Sequence, residues 1–289
     1  MKNKHFMRLI MIELFDASNT ANALKQSGKY CLIFLLCFIF FSFKADAQRL
    51  CDDKVDYTMK IPLVSDVKVE GVLGKAIENS LNGRLKTLPG WNEGELITMF
   101  SPESRLANTT NDWYGEHAGK WLITSSRAAF RSGDRELKDK LLKTADYLIS
   151  TQEHNGYLGT YSPQRRITNH QSLTHASSWD VWNMSYIILG LLEVNKFYPA
   201  EKYLLASKKI GDLSLENFCE GRQRITEFGT RRGISATVIL DPIVELYRVT
   251  GDKRYLDYLK LVIRQMEEKE GLQLISSALA NRDLEWIGD

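Results

Sequence analysis

The sequence predicts an all-α chain, the first half of an (α/α)6 toroid. Three observations predict it: apolar residues at helical spacing beyond His117, three breaks that join helices in pairs, and long polar connections between the pairs. The first pair runs from Trp121 to Gln152 and turns at Gly133-Asp134. Its second helix carries Leu137, Leu141, Leu142, Ala145, Leu148 and Ile149 on one stripe. The second pair runs from Asn183 to Phe218 and breaks at Tyr198-Pro199. The third runs from Thr237 to Glu268, breaks at Gly251-Asp252, and has its stripe at Leu256, Leu259, Ile263 and Met266. The breaks stand 66 and 52 residues apart, too far for repeat arrays with units of about 33 to 34 residues. The connections are rich in Gly, Tyr, His and Arg. This design suits alternating inner and outer helices with a cleft built at one end.

Upstream, Val64 to Leu73 alternates like a short strand, Gly74 to Leu85 reads as a helix, and Pro89-Gly90 as a turn. Lys25 and Lys29 precede an apolar run from Cys31 to Phe43, followed by Lys44 and Ala45-Asp46-Ala47. A basic flank, a short apolar core and an A-x-A site describe a secretory signal peptide. Residues 1–47 are therefore expected to be a signal peptide with an amino-terminal extension, cleaved after Ala47, and the protein secreted or periplasmic. The run falls short of the roughly 20 apolar residues of a membrane span, so no stable span is expected after cleavage. Residues 48–289 then form the amino-terminal portion of a toroid domain, because three hairpins, or four with 74–100, fall short of six.

The 289 residues are 44% hydrophobic, 26% charged and 10% aromatic, with a formal charge of +2. Those proportions exclude a disordered, collagen-like or polytopic membrane protein. Loss of residues 1–47 removes six basic and three acidic side chains and moves the charge to −1, which offers nucleic acid no basic face. Cys51 and Cys219 remain, neither with a C-x-x-C partner or nearby histidine, so no structural metal site is readable.

The connections hold the informative residues. They are Trp113-Tyr114-Gly115-Glu116-His117-Ala118-Gly119-Lys120-Trp121-Leu122, then Asn155-Gly156-Tyr157-Leu158-Gly159-Thr160-Tyr161, then Trp179-Asp180-Val181-Trp182 with the apolar helix after it. The fourth is Gly229-Thr230-Arg231-Arg232-Gly233, leading into Leu240-Asp241-Pro242-Ile243-Val244-Glu245-Leu246-Tyr247, Thr250-Gly251-Asp252 and Arg254-Tyr255-Leu256. This ordered set resembles the β-L-arabinofuranosidase family, glycoside hydrolase family 127, from about Pro62 to Asp289. The resemblance implies a six-hairpin glycosidase-like toroid followed by β-sandwich domains, and an arabinose-containing glycan as substrate. It also implies retaining hydrolysis with a zinc-held cysteine thiolate as nucleophile and a glutamate as general acid/base. In the full-length family those groups lie in the second half of the toroid and beyond. Cys219 does not match the nucleophile's surroundings, so no catalytic residue is carried over and no cofactor is expected for this chain. Some relatives place histidines near the sugar where this chain reads Trp182-Asn183-Met184-Ser185-Tyr186 and Ile239-Leu240-Asp241-Pro242.

The candidate substrate-binding residues are Trp113, Glu116, His117, Trp179, Asp180 and Trp182. Glu116 suits either a sugar hydroxyl or the positive end of a helix. Asp180 suits either a cap or a sugar hydroxyl, and the indoles suit the apolar face of a sugar ring. Asp241 and Glu245 share a helix face, but Pro242 at a first helical position makes Asp241 a ready N-cap. Arg222, Arg224, Arg231 and Arg232 read as a solvated loop or a grip for an acidic sugar, and His170 and His175 as loop residues. Two further readings stay open: another toroid enzyme such as a glycuronyl hydrolase or lyase, and a non-catalytic helical module that binds glycan or protein.

Overall fold

A computed structural model describes residues 62, 66–88, 95–110, 115–169 and 178–282. The expected signal-peptide segment, residues 1–47, and Cys51, Pro89-Gly90, Trp113, Tyr114, His170 and His175 lie outside the described residues. Every regular element among the described residues is helical. Helix α1 spans Gly71–Ser80 and continues into a π-helical turn, Leu81–Leu85; α2 is Glu95–Thr98 and α3 is Pro102–Ala107. Three hairpins follow: α4 (Glu116–Ser132) with α5 (Arg135–Ser150), α6 (Asp180–Phe197) with α7 (Glu201–Phe218), and α8 (Leu240–Thr250) with α9 (Lys253–Glu267). A last helix, α10, is Leu274–Leu279.

The strand expected over 64–73 is not formed by its described part. Residues 67–70 are irregular and Gly71, Val72 and Leu73 open α1. Alternation stabilises a strand only beside a partner strand, and among the described residues there is none. The extended Glu70 instead starts a helix, its carbonyl accepting the Gly74 N–H at 3.3 Å.

The Gly-Asp turns are built alike. Gly133 and Gly251 both sit at φ 69, the left-handed region in which glycine ends a helix without a Cβ clash. Ser132 Oγ donates to the Ala128 carbonyl at 2.7 Å and accepts the Asp134 N–H at 3.2 Å. Thr250 Oγ1 does the same with Leu246 at 2.6 Å and Asp252 at 3.1 Å. Each aspartate then caps the next helix, Asp134 on the Leu137 N–H at 2.9 Å and Asp252 on the Arg254 N–H at 3.0 Å. The middle hairpin solves the turn differently: Pro199 cannot continue α6, and Asn195 Oδ1 accepts the Ala200 N–H at 3.1 Å.

Both capping carboxyls are held below their usual range, Asp134 first by Lys86 and Asp252 first by Arg254. Lowered folded-state values make their contribution present at neutral pH and lost as the pH falls through them. Asp134→Ala and Asp252→Ala are each expected to cost about 1 kcal/mol, measured by urea unfolding at neutral pH; no change in either midpoint contradicts the capping role.

The aromatic that follows each later turn is an interhelix strut. Tyr203, third residue of α7, donates its hydroxyl to Asp146 of α5 at 2.8 Å. Tyr255, third residue of α9, does so to Asp212 of α7 at 3.0 Å. In α5 the same place is taken by the buried Leu137. Outer helices are thus tied one to the next, while inner helices α4, α6 and α8 pack in succession. Helix α6 buries Val181, Met184, Ile187, Ile188, Leu191 and Val194 and is apolar around most of its circumference, as a helix covered on several sides must be. It crosses α4 so closely that a Cβ on Gly119 would lie 2.1 Å from the Tyr186 carbonyl oxygen.

One expectation changes at the start of α8. Asp241 is not the N-cap of α8: the chain enters the helix already wound as a 3-10 turn, Thr237–Ile239, so Asp241 sits exposed in the first turn after Ile239. Glu245 pairs with Arg248 at 2.6 Å, which removes it from any acid/base pair with Asp241. Arg224 is held by Glu268, and Arg231 and Arg232 lie on an exposed turn at φ 53 and 54.

Candidate functional site

The amino-terminal ends of α4 and α6 bring one group of side chains together. Gly115 precedes α4 at φ 127, packed so that a Cβ would lie 2.7 Å from Thr160 Cγ2. That backbone turns Glu116 inward, where it is 5% exposed. Glu116 Oε1 lies 3.4 Å from His117 Nδ1 and 3.7 Å from Lys120 Nζ. Its Oε2 is buried without a hydrogen-bond partner, an unmet acceptor beneath the surface.

Trp179, Trp182 and Tyr186 recur at spacings of three and four, so they share one stripe of α6. All three are half-buried. The two indoles meet edge to face at 5.4 Å, and Trp182 lies 5.3 Å from the Tyr186 ring. Lys120 reaches across from α4, its ammonium 4.6 Å from the Tyr186 centroid and 5.7 Å from that of Trp182, within cation–π range. Burial first, then the charges of Glu116 and Asp241, hold the Tyr186 phenol above its usual range. The first turn of α8 therefore faces the same place. On the other side, exposed His117 and half-buried Lys120 border a cavity of about 530 Å³ floored by Leu85, Leu88, Met99 and Trp121.

Of the residues expected at a sugar site, Glu116, His117, Trp179 and Trp182 lie at this end of the inner helices, and Trp113 lies outside the described residues. Asp180 is placed differently. It is 0% exposed, and both oxygens are taken, Oδ1 by the Tyr157 hydroxyl at 2.8 Å and Oδ2 by the Ile167 N–H at 3.0 Å. It presents no surface at this end of the helices and does not cap α6, whose start at Trp179 has no side-chain cap. The 153–169 loop, folded over the helix start, is the reason. Sequence reasoning passed over Lys120 and Tyr186, although each stands at i+4, from Glu116 and Trp182 respectively.

The group has acceptors, a cation and flat apolar faces, the means to bind a polyhydroxylated ring. It is not a zinc–thiolate centre. Cys219 follows α7, with its Sγ 3.4 Å from the Glu216 carbonyl. Among the described residues no three His, Cys, Asp or Glu side chains gather as metal ligands.

A family model described as beta-L-arabinofuranosidase, GH127 catalytic domain, matches residues 64–277. The chain belongs to this family. A solved GH127 structure resembles it in fold. The beta-arabinofuranosidase BT3674 is 18% identical, with a TM-score of 0.58 over 71% of this chain and 34% of that one. A beta-L-arabinofuranosidase from Geobacillus stearothermophilus T6 is 18% identical with a TM-score of 0.49, over 72% of this chain and 32% of that one. No curated protein matches the sequence. This GH127 chain thus spans about a third of the length of these solved proteins, and its hairpins follow the helical toroid of the first. Among its described residues, no helix is long and apolar enough to cross a membrane.

Proposed function

We propose that this chain is an exported glycoside hydrolase-type protein whose inner helix ends hold an arabinose-containing glycan. The observation that carries the reading is the half-buried stripe of Trp179, Trp182 and Tyr186 facing Lys120 and the unpartnered Glu116 Oε2. An indole covers the C–H face of a furanose ring, while Glu116 accepts a ring hydroxyl and His117, on the rim, offers a second polar contact. Family membership supports a glycan as the ligand and arabinofuranose as its sugar.

The hydrolytic chemistry implied by the resemblance needs a thiolate nucleophile and a glutamate acid/base. The described residues provide a binding surface, and the reading proposed for this chain is binding without cleavage. Export rests on the amino-terminal pattern: mature protein begins at Gln48, to be checked by mass spectrometry of secreted material.

Calorimetric titration of the purified chain with a β-L-arabinofuranosyl oligosaccharide is expected to give saturable binding and no free arabinose. Absence of saturable binding overturns the glycan reading. Release of arabinose that survives Cys219→Ala would show that these helices carry a catalytic pair of their own.

A further inference from the structure

We infer that Asp180 is a positioning residue, which fixes the aromatic stripe of α6 by clamping the 153–169 loop onto the helix start. The inference rests on the glycan-binding reading for its functional consequence, and on geometry for the clamp itself.

The clamp is a closed circuit of hydrogen bonds. Asp180 Oδ1 accepts the Tyr157 hydroxyl at 2.8 Å, and that hydroxyl accepts the Tyr161 N–H at 3.1 Å. The Tyr161 hydroxyl in turn accepts the N–H of Trp179 at 3.3 Å, next to Asp180 in the chain. The second oxygen, Oδ2, holds the far end of the loop through the Ile167 N–H at 3.0 Å. Ser178 closes the remaining side, donating to the Arg165 carbonyl at 3.0 Å and accepting the Asp180 N–H at 3.2 Å. Loop and carboxylate fit so closely that a Cβ on Gly159 would lie 2.6 Å from the Tyr157 oxygen and 3.0 Å from Asp180 Oδ1. Trp179 and Trp182 are therefore oriented by a buried acid that never reaches the surface.

The charges around the carboxylate come from the same loop. Arg166 stacks on the Tyr157 ring at 4.0 Å, with Arg165 beside it. Glu153 pairs with Arg166 at 2.9 Å and with Arg105 of α3 at 2.9 Å. Burial pushes the Asp180 carboxyl up to about 6, against the hydrogen bonds from Tyr157 and Ile167 and the two arginine charges, which favour the anion. When the carboxyl takes a proton, one oxygen becomes a donor, so the Tyr157 hydroxyl must turn from donor to acceptor and the hydrogen-bond circuit rearranges.

The test follows near-UV circular dichroism of the indole pair, together with titration by the arabinofuranosyl oligosaccharide, between about pH 5 and pH 8. Wild type is expected to show an inflection near pH 6 in both signals, with weaker binding on the acid side. Asp180→Asn is expected to keep its helical far-UV spectrum, lose the inflection, and bind about tenfold more weakly at every pH. Tyr157→Phe keeps the carboxylate but removes a bond that favours the anion, so its inflection is expected to move to higher pH; it carries the test should Asp180→Asn not fold. Wild-type near-UV spectra and pH profiles in both variants would overturn the inference. If wild type binds no glycan yet its indole signal follows these expectations, the clamp stands and the glycan reading fails.

Discussion

Gly119→Ala is expected to destabilise the protein by about 3 kcal/mol, at the upper end of the usual cost of overpacking. A Cβ at this position would lie 2.1 Å from the Tyr186 oxygen, 2.3 Å from its carbonyl carbon and 2.9 Å from the Ile187 nitrogen. These are backbone atoms in the middle of α6, so no rotamer change relieves the overlap. Helices α4 and α6 must move apart. Gly190 meets α4 on the same contact, where its own Cβ would lie 2.9 Å from the Gly119 oxygen, so there is no slack on the facing helix. For a domain of this size the loss corresponds to a fall in Tm of roughly 6 to 12 °C. Gly133→Ala makes the control. Nothing lies within 4 Å of its added Cβ, and only the φ of 69 is strained, so about 1 kcal/mol is expected. Equal melting temperatures for the two variants would show that the α4–α6 crossing tolerates separation.

Trp182→Ala is expected to weaken binding of the arabinofuranosyl oligosaccharide by about 2 kcal/mol, roughly 30-fold, with the helical spectrum unchanged. Trp182 is the centre of the stripe, in contact with Trp179 on one side and Tyr186 on the other, and beneath the Lys120 ammonium. Truncation removes the stacking face and leaves Lys120 with Tyr186 as its aromatic neighbour and Glu116 as its ion partner. Its indole is only half-buried, so the fold loses little core. Competing titrations of wild type and variant at one ionic strength measure the difference. Unchanged affinity would place the glycan elsewhere.

The two variants report on different levels of the same contact. Gly119 sets how near α4 comes to α6, and that distance decides whether Lys120 can lie over Tyr186. A shift of the helices by the width of one methyl group would therefore weaken binding as well as folding. Gly119→Ala is expected to lower glycan affinity even at temperatures where it remains folded.

The hairpins were legible in the sequence because their turns are local chemistry. A glycine in the left-handed region and an aspartate one residue later need no distant partner to end one helix and begin the next. The periodic stripes were legible for the same reason: helical spacing fixes which residues share a face. The stretch over 64–73 misled because alternation specifies a strand only when a neighbouring strand exists to pair with it. Asp241 looked like a cap because Pro242 suits a first turn, whereas the preceding residues had already begun to wind.

By itself the sequence determined the helical class, the three paired breaks, the aromatic residues at the start of α6 and the family to which the chain belongs. The tertiary structure alone decided where Asp180, Lys120 and Glu116 stand and what surrounds them. Asp180 and Trp182 are two residues apart, yet one is sealed beneath the 153–169 loop and the other is half-open to a ligand. Lys120 acquires its aromatic neighbours only from a helix sixty residues further along. A carboxylate or an ammonium has the same local propensities in either setting. Its role follows from what the fold brings within a few ångströms, where loss of water and the nearest charges govern its energy.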